Sequence, residues 1–212
     1  ELIDAGELGD VLHVSSSRLS LGLFQASLSV VWDLMPHDFS ILDFLFGGKM
    51  PARVDATGGA HIVPGVEDTV NAFLTYEDGL TADVRTSWIY PNKVRDLTVV
   101  GSRSMVVFDD TEQLDKVRLI DRRLETAQPF SNLGEFHMSY RYGDTHIPLL
   151  ENTEPLYAEM SDFVRSVRTG EPPRSHAESG VKVVQLLEAV QASLDEKRRP
   201  AAVSPRPAQL SA

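Results

Sequence analysis

The 212-residue chain contains no cysteine, which excludes a disulfide scaffold, a thiolate zinc site, an iron–sulfur cluster and a cysteine nucleophile. Positive charge is scarce: 20 Lys and Arg stand against 31 Asp and Glu, a formal net charge of −11. A surface with that balance repels phosphate backbones and anionic lipid, so neither nucleic acid nor membrane is expected as a partner. No apolar run approaches the ~20 residues of a membrane span. No basic segment leading into an apolar one opens the chain, so a cytoplasmic protein is the expectation. The fourteen glycines never fall into Gly-x-Gly-x-x-Gly spacing, and there is no P-loop, Gly-x-Ser-x-Gly elbow or His-Glu-x-x-His. By itself the chain offers no nucleotide cradle and no metal site.

Hydrophobic residues make up 42% and charged residues 24%, the balance of a folded domain rather than a disordered segment. A chain this long buries roughly 70% of the surface of its unfolded form, enough for a core without staples. We expect one domain over residues 1–199 and a flexible Pro- and Ala-rich tail over 200–212. Glu1 to Gly6 resembles the last turn of a helix closed by a glycine, which suggests a piece of a longer protein.

Val11 to Ser17 predicts a strand. Val30 to Phe46, apolar at Val31, Leu34, Ile41, Leu42 and Leu45, predicts a helix ending at Gly47-Gly48. From Arg53 to about Asp121 the period becomes two. Val70, Ala72, Leu74 and Tyr76 alternate up to the Asp78-Gly79 hairpin signal, and Leu80, Ala82, Val84, Thr86 and Trp88 alternate after it. Leu97–Val100 and Met105–Phe108 flank a second hairpin, and Val117–Ile120 adds a strand. Glu125 to Leu150 has no sustained period and predicts a loop, with a short strand near Phe136–Tyr142. Two helices close the chain, over residues 154–168 and 180–195. The fold class is α+β: a large, predominantly antiparallel sheet with helices packed on one face. Apolar residues on both sides of that sheet predict that its other face meets a second copy.

Chemistry concentrates in Val31-Trp-Asp33-Leu-Met-Pro-His37-Asp38. Asp33 and His37 are four apart and share a helix face. A carboxylate there can fix the imidazole tautomer and raise its pKa, preparing it for proton transfer near neutral pH. The plainer reading makes Asp33 the helix N-cap, with Pro36 in the first turn and His37 structural. Arg18, Lys93 and Arg95 are cations near strand ends that suit an anionic substrate, or else ordinary surface charges. His146 lies in the irregular stretch, where site loops are common. His13, His61, His137 and His176 share no spacing and are taken as structural or exposed, and Trp32 and Trp88 as core.

The segments Leu2-Ile-Asp-Ala-Gly-Glu-Leu-Gly9, Trp32-Asp33-Leu-Met-Pro-His37-Asp38, Thr86-Ser-Trp-Ile-Tyr-Pro-Asn-Lys93 and Leu97-Thr-Val-Val-Gly-Ser102, in that order, resemble the C-terminal domain of the glucose–fructose oxidoreductase / inositol dehydrogenase (Gfo/Idh/MocA) family. Tyr142-Gly-Asp-Thr-His-Ile-Pro148, Glu154-Pro-Leu156 and Gly180-Val-Lys-Val-Val184 extend the resemblance to about residue 196. It implies an α+β domain that binds substrate and oligomerises through its sheet, in a homodimer or homotetramer. It also implies an N-terminal Rossmann domain, absent from this chain, that holds NAD or NADP in the intact enzyme; this chain alone is expected to bind no cofactor. The family's Asp-x-x-x-His pattern falls on Asp33 and His37, implying substrate contact and proton transfer there, with Arg18, Lys93 and His146 as candidates for a sugar or nucleotide-sugar substrate. The family's catalytic lysine has no counterpart here. The rival is a non-catalytic oligomerisation or sugar-binding module of the same fold.

Overall fold

The computed structural model describes residues 2–22, 24–25, 27–126, 138–150 and 153–197. Eight strands form one sheet: β1 (Val11–Leu21), β2 (Arg53–Gly59), β3 (Thr69–Thr75), β4 (Thr81–Ser87), β5 (Ile89–Gly101), β6 (Met105–Asp109), β7 (Val117–Thr126) and β8 (Met138–His146). Their order is β2-β3-β4-β1-β5-β6-β7-β8. Three helices join them: α1 (Val30–Leu45), α2 (Pro155–Thr169) and α3 (Ala177–Lys197). The α+β class and the predominantly antiparallel sheet are as expected.

The first strand departs from a simple meander. β1 lies between β4 and β5, parallel to β4 and antiparallel to β5. Val14 and Ser16 are buried between Ala82 and Val84 of β4 on one side and Val99 and Leu97 of β5 on the other. Alternation told which residues face inward, because side chains on a strand have period two. It did not tell which strand sits beside which, since that is decided by contacts distant in sequence.

The inward residues of the sheet and the apolar stripes of α1 and α3 make the core: Val31, Met35, Phe39 and Leu42 of α1 and Val183, Leu187, Val190 and Leu194 of α3 are at most 7% exposed. Ser193 of α3 anchors the sheet edge: its Oγ accepts the Ala56 N–H of β2 at 2.9 Å.

Several boundaries differ from those expected. β7 runs on to Thr126, and the short strand expected near Phe136–Tyr142 is part of β8, which continues to His146 through a stretch expected as loop; the residues from Ser139 to His146, polar or aromatic apart from Gly143, are held as a strand by pairing with β7 and not by apolar alternation. Phe136, His137 and the tail 200–212 lie outside the described residues. β5 begins at Ile89, so Lys93 and Arg95 lie within a strand and not at the end of one. α3 starts at Ala177, three residues before Gly180. α2 forms as expected, with the Glu154 carboxylate accepting the Leu156 and Tyr157 N–H groups and Gly170 at φ 75° ending it, yet it buries no residue.

Candidate active site

α1 begins after Ser29, whose backbone is extended and whose side chain makes no cap bond; the Val30 N–H instead donates to the Glu67 carbonyl at 2.9 Å. Asp33 is therefore not the N-cap. It sits in the first turn, where its charge suits the positive end of the helix dipole. Pro36 lies inside the helix, beyond the first turn that the N-cap reading gave it.

Asp33 has a partner, and it is not His37. The indole N–H of Trp88 donates to Asp33 Oδ2 at 2.9 Å. Trp88 is 3% exposed, and Phe24 meets its ring edge-on with centroids 5.4 Å apart. Gly22 makes this approach possible: its N–H donates to the Trp88 carbonyl at 3.0 Å, and a Cβ there would lie 2.5 Å from Trp88 Cδ1. Trp88 is core, as expected, and also a hydrogen-bond donor to the site.

His37 projects from the solvent side of α1. Its pKa is lowered from the ordinary value, first by burial against the surrounding protein and next by the Arg18 charge; Arg95 adds to the lowering, while Asp38 and Asp33 oppose it. The expected rise from Asp33 is thus outweighed. The imidazole is held neutral near pH 7, the state in which it accepts a proton.

Asp38, next to His37, points inward and is 2% exposed. Its carboxylate accepts from Ser16 Oγ at 2.8 Å and from Arg18 Nε at 3.0 Å and Nη2 at 3.4 Å. Arg18 and Arg95 are register partners across β1 and β5, and Arg95 approaches Asp110 at 3.7 Å. Together Ser16, Arg18, Asp38, Arg95 and Asp110 line a cleft of about 210 Å³. No role was predicted for Asp38 from the sequence. A signal was present: Asp38 falls on the spacing Val31, Met35, Asp38, Leu42, so a carboxylate interrupts an apolar stripe and requires a buried partner.

Arg18 is held by Asp38, the residue after His37, and its charge and that of Arg95 both lower the His37 pKa; Lys93 and His146 stand apart. Lys93 is exposed on β5 and does not line the cleft. His146, on β8, is four strands from β1, about 19 Å at the usual strand spacing. It lines a separate cleft with Arg103, Asp121 and Arg141. His13 and His61 pair with Asp83 and Asp68. Among the described residues no group of three His, Asp or Glu is placed to hold a metal.

Among the described residues, the end of β1 does not fit a dinucleotide. The β1–α1 junction, where a glycine turn would cradle phosphates, has Gly22 closed off by the Trp88 ring, and no glycine fingerprint follows it.

This mostly antiparallel sheet, with three helices among the described residues, defines an α+β domain. Residues 1–107 match the GFO/IDH/MocA C-terminal domain, and the chain belongs to that family. It is 23% identical to the myo-inositol 2-dehydrogenase of Thermotoga maritima, over 93% of this chain and 58% of that protein. Its fold is like that of the UDP-N-acetylglucosamine 3-dehydrogenase of Acidithiobacillus ferrooxidans, with TM-score 0.70 and 20% identity over 92% of this chain and 57% of that one. It is also like that of the aldose-aldose oxidoreductase of Caulobacter crescentus, with TM-score 0.69 and 19% identity over 93% and 57%. The chain thus spans 58% of the length of the curated relative it matches.

Proposed function

We propose that this chain is the substrate-binding half of a nicotinamide-dependent oxidoreductase acting on a hydroxyl of a sugar, nucleotide-sugar or cyclitol. The observation that carries the reading is His37: a solvent-facing imidazole held neutral by its surroundings on the first helix of a domain of this family. In the oxidative direction His37 accepts the hydroxyl proton as the carbinol carbon loses its hydride; in reduction it returns that proton to the forming hydroxyl. Asp33 accepts its hydrogen bond from the Trp88 indole and not from the imidazole. It acts by fixing the first turn of α1 against Trp88. NAD or NADP, in the intact enzyme, accepts or supplies the hydride from a preceding Rossmann domain. A homodimer or homotetramer forms through the sheet face opposite α1 and α3, with a cytoplasmic location.

The test uses the intact enzyme with NAD or NADP and a panel of cyclitols, aldoses and nucleotide sugars. His37→Asn is expected to lower kcat by about 10²–10⁴-fold with an unchanged melting profile. Full turnover by His37→Asn ends the acid/base assignment. A wild-type enzyme that binds sugar and turns over none favours the non-catalytic module.

A further inference from the structure

We infer that the apolar face of α2 is a self-association surface, on which two copies of this chain pair antiparallel across a two-fold axis. It is a second contact, separate from the sheet face, and it does not depend on the assignment of His37.

α2 is a well-formed helix with an uncovered face. Leu156, Met160, Phe163 and Val167 repeat at i, i+4, i+7 and i+11, one line along a helix, and Tyr157 and Val164 widen it. All six are 44–71% exposed, and α2 buries no side chain. A helix of 15 residues is marginal in water by itself, so something other than core packing holds this one. Its own ends and connector do so. The Glu154 carboxylate takes the Leu156 and Tyr157 N–H groups at 3.3 and 2.7 Å, and Gly170 closes the other end. Arg165 donates to Asp162 Oδ1 at 2.7 Å and to Glu171 Oε2 at 2.8 Å, and Asp162 Oδ2 accepts the Arg174 N–H at 2.8 Å. Asp162 and Arg165 stand two residues from Met160 and Val167, about 200° round the helix. The brace is therefore on the back of α2 and leaves the apolar line clear. A stripe of this kind marks an interaction surface, where single exposed apolar residues do not.

The charges on α2 favour a second copy as the occupant. Its first half is acidic, with Glu154 at the cap followed by Glu159 and Asp162; its second half is basic, with Arg165 and Arg168. Two copies laid parallel set like charges and like helix ends together. Antiparallel copies set acid against base and oppose the helix dipoles, which fixes the orientation more than the strength of the pair. Tyr157 and Arg168 are eleven residues apart, three turns, so they share one flank at opposite ends of the helix. Antiparallel pairing brings Tyr157 of each copy level with Arg168 of the other, a cation–ring contact made twice. The contact is small. A helix of this length is about 22 Å long and about 10 Å wide, less than the roughly 800 Å² per partner of a stable interface. Alone it makes a weak dimer. Combined with a sheet-face dimer it closes a tetramer, in which each contact raises the effective concentration for the other.

The chain has no cysteine, so single introduced cysteines report the pairing of the 212-residue chain without background. Phe163→Cys, near the middle of α2, is expected to give a dimer with a short bismaleimide. Leu156→Cys alone is expected to give none, because antiparallel pairing sends the two copies of that residue to opposite ends. An equal mixture of Leu156→Cys and Val167→Cys should link. Sedimentation velocity from about 1 to 500 μM should show an association step that Phe163→Asp weakens about tenfold or more. Its melting temperature should stay unchanged, because Phe163 is not buried. If Phe163→Asp melts lower, Val167→Ser at the exposed end of the stripe decides. Leu156→Cys linking to itself, association undiminished by both apolar variants, or no association step at all overturns the proposal; the last result assigns the face to a preceding domain of the intact enzyme. The readout is assembly and not turnover, so none of these results touches the acid/base assignment of His37.

Discussion

Trp88 Nε1 donates to Asp33 Oδ2 at 2.9 Å, tying the junction of β4 and β5 to the first turn of α1. The same residue's backbone N–H donates to the Asp68 carbonyl at 2.9 Å, and Asp68, fully buried, gathers the His61 and Ile62 N–H groups. The start of α1, and with it the placement of His37 one turn later, therefore depends on a chain of contacts between segments distant in sequence.

Removing the acceptor should cost more than replacing it. Asp33→Ala is expected to lower unfolding free energy by about 1.5–3 kcal/mol, the worth of a hydrogen bond to a charged group. Asp33→Asn retains an acceptor oxygen and should lose less than half of that. Urea unfolding of the 212-residue chain measures both; equal losses for the two variants would show that the Trp88 bond is not what Asp33 contributes.

Gly22 is predicted to tolerate no side chain. Gly22→Ala brings a Cβ to 2.5 Å from Trp88 Cδ1, and the buried indole must move. The cost should be about 1–3 kcal/mol, accompanied by a change in tryptophan fluorescence. A melting temperature equal to that of the wild type would contradict the packing described.

Asp38→Ala leaves the Arg18 guanidinium without its carboxylate and Ser16 without its acceptor. The expected loss is about 3 kcal/mol, at the low end for broken buried pairs because Arg18 keeps some access to water. Asp38→Asn, which can still accept from Ser16, should fall between this variant and the wild type in chemical denaturation.

The lowered pKa of His37 has a defined sign in pH dependence. Unfolded, the imidazole takes its proton near its ordinary value of about 6.5; folded, it takes it only at lower pH. Between those two points the unfolded chain binds more protons, so stability falls as pH falls through that window. His37→Gln should remove this part of the acid sensitivity, as seen in urea midpoints compared at about pH 7.5 and pH 5.5. In the intact enzyme, the rise of kcat/KM with pH in the oxidative direction should have its midpoint below about 6.5. A limb with its midpoint above that value would place the proton acceptor elsewhere.

Much of the architecture was legible because it is local. The 3.6-residue stripe from Val31 to Leu42 specified α1, and Asp78-Gly79, with φ 90° at the glycine, marked the β3–β4 turn that the structure contains. Only the first part of β8 was legible, as a short strand near Phe136–Tyr142: its residues from Tyr140 to His146 are mostly polar and exposed, and it extends to His146 through its ladder with β7. The N-cap reading of Asp33 failed for a related reason. A carboxylate four residues before a histidine fits a cap, a first-turn charge or a catalytic pair equally well, and only the indole of Trp88, 55 residues later, distinguishes them.

The sequence by itself determined the class of fold, the helix that carries Asp33 and His37, and the absence of a glycine-rich nucleotide motif, since each follows from periodicity or composition along a continuous stretch. Tertiary structure alone decided that Asp33 answers to Trp88, that Asp38 rather than Asp33 holds a cation beside His37, and that His146 stands on a distant strand. Those outcomes turn on β1 entering the sheet between β4 and β5, which places Arg18 next to Arg95 and beneath α1. Strand order is set by the summed burial of many residues far apart in the chain, and no short spacing encodes it.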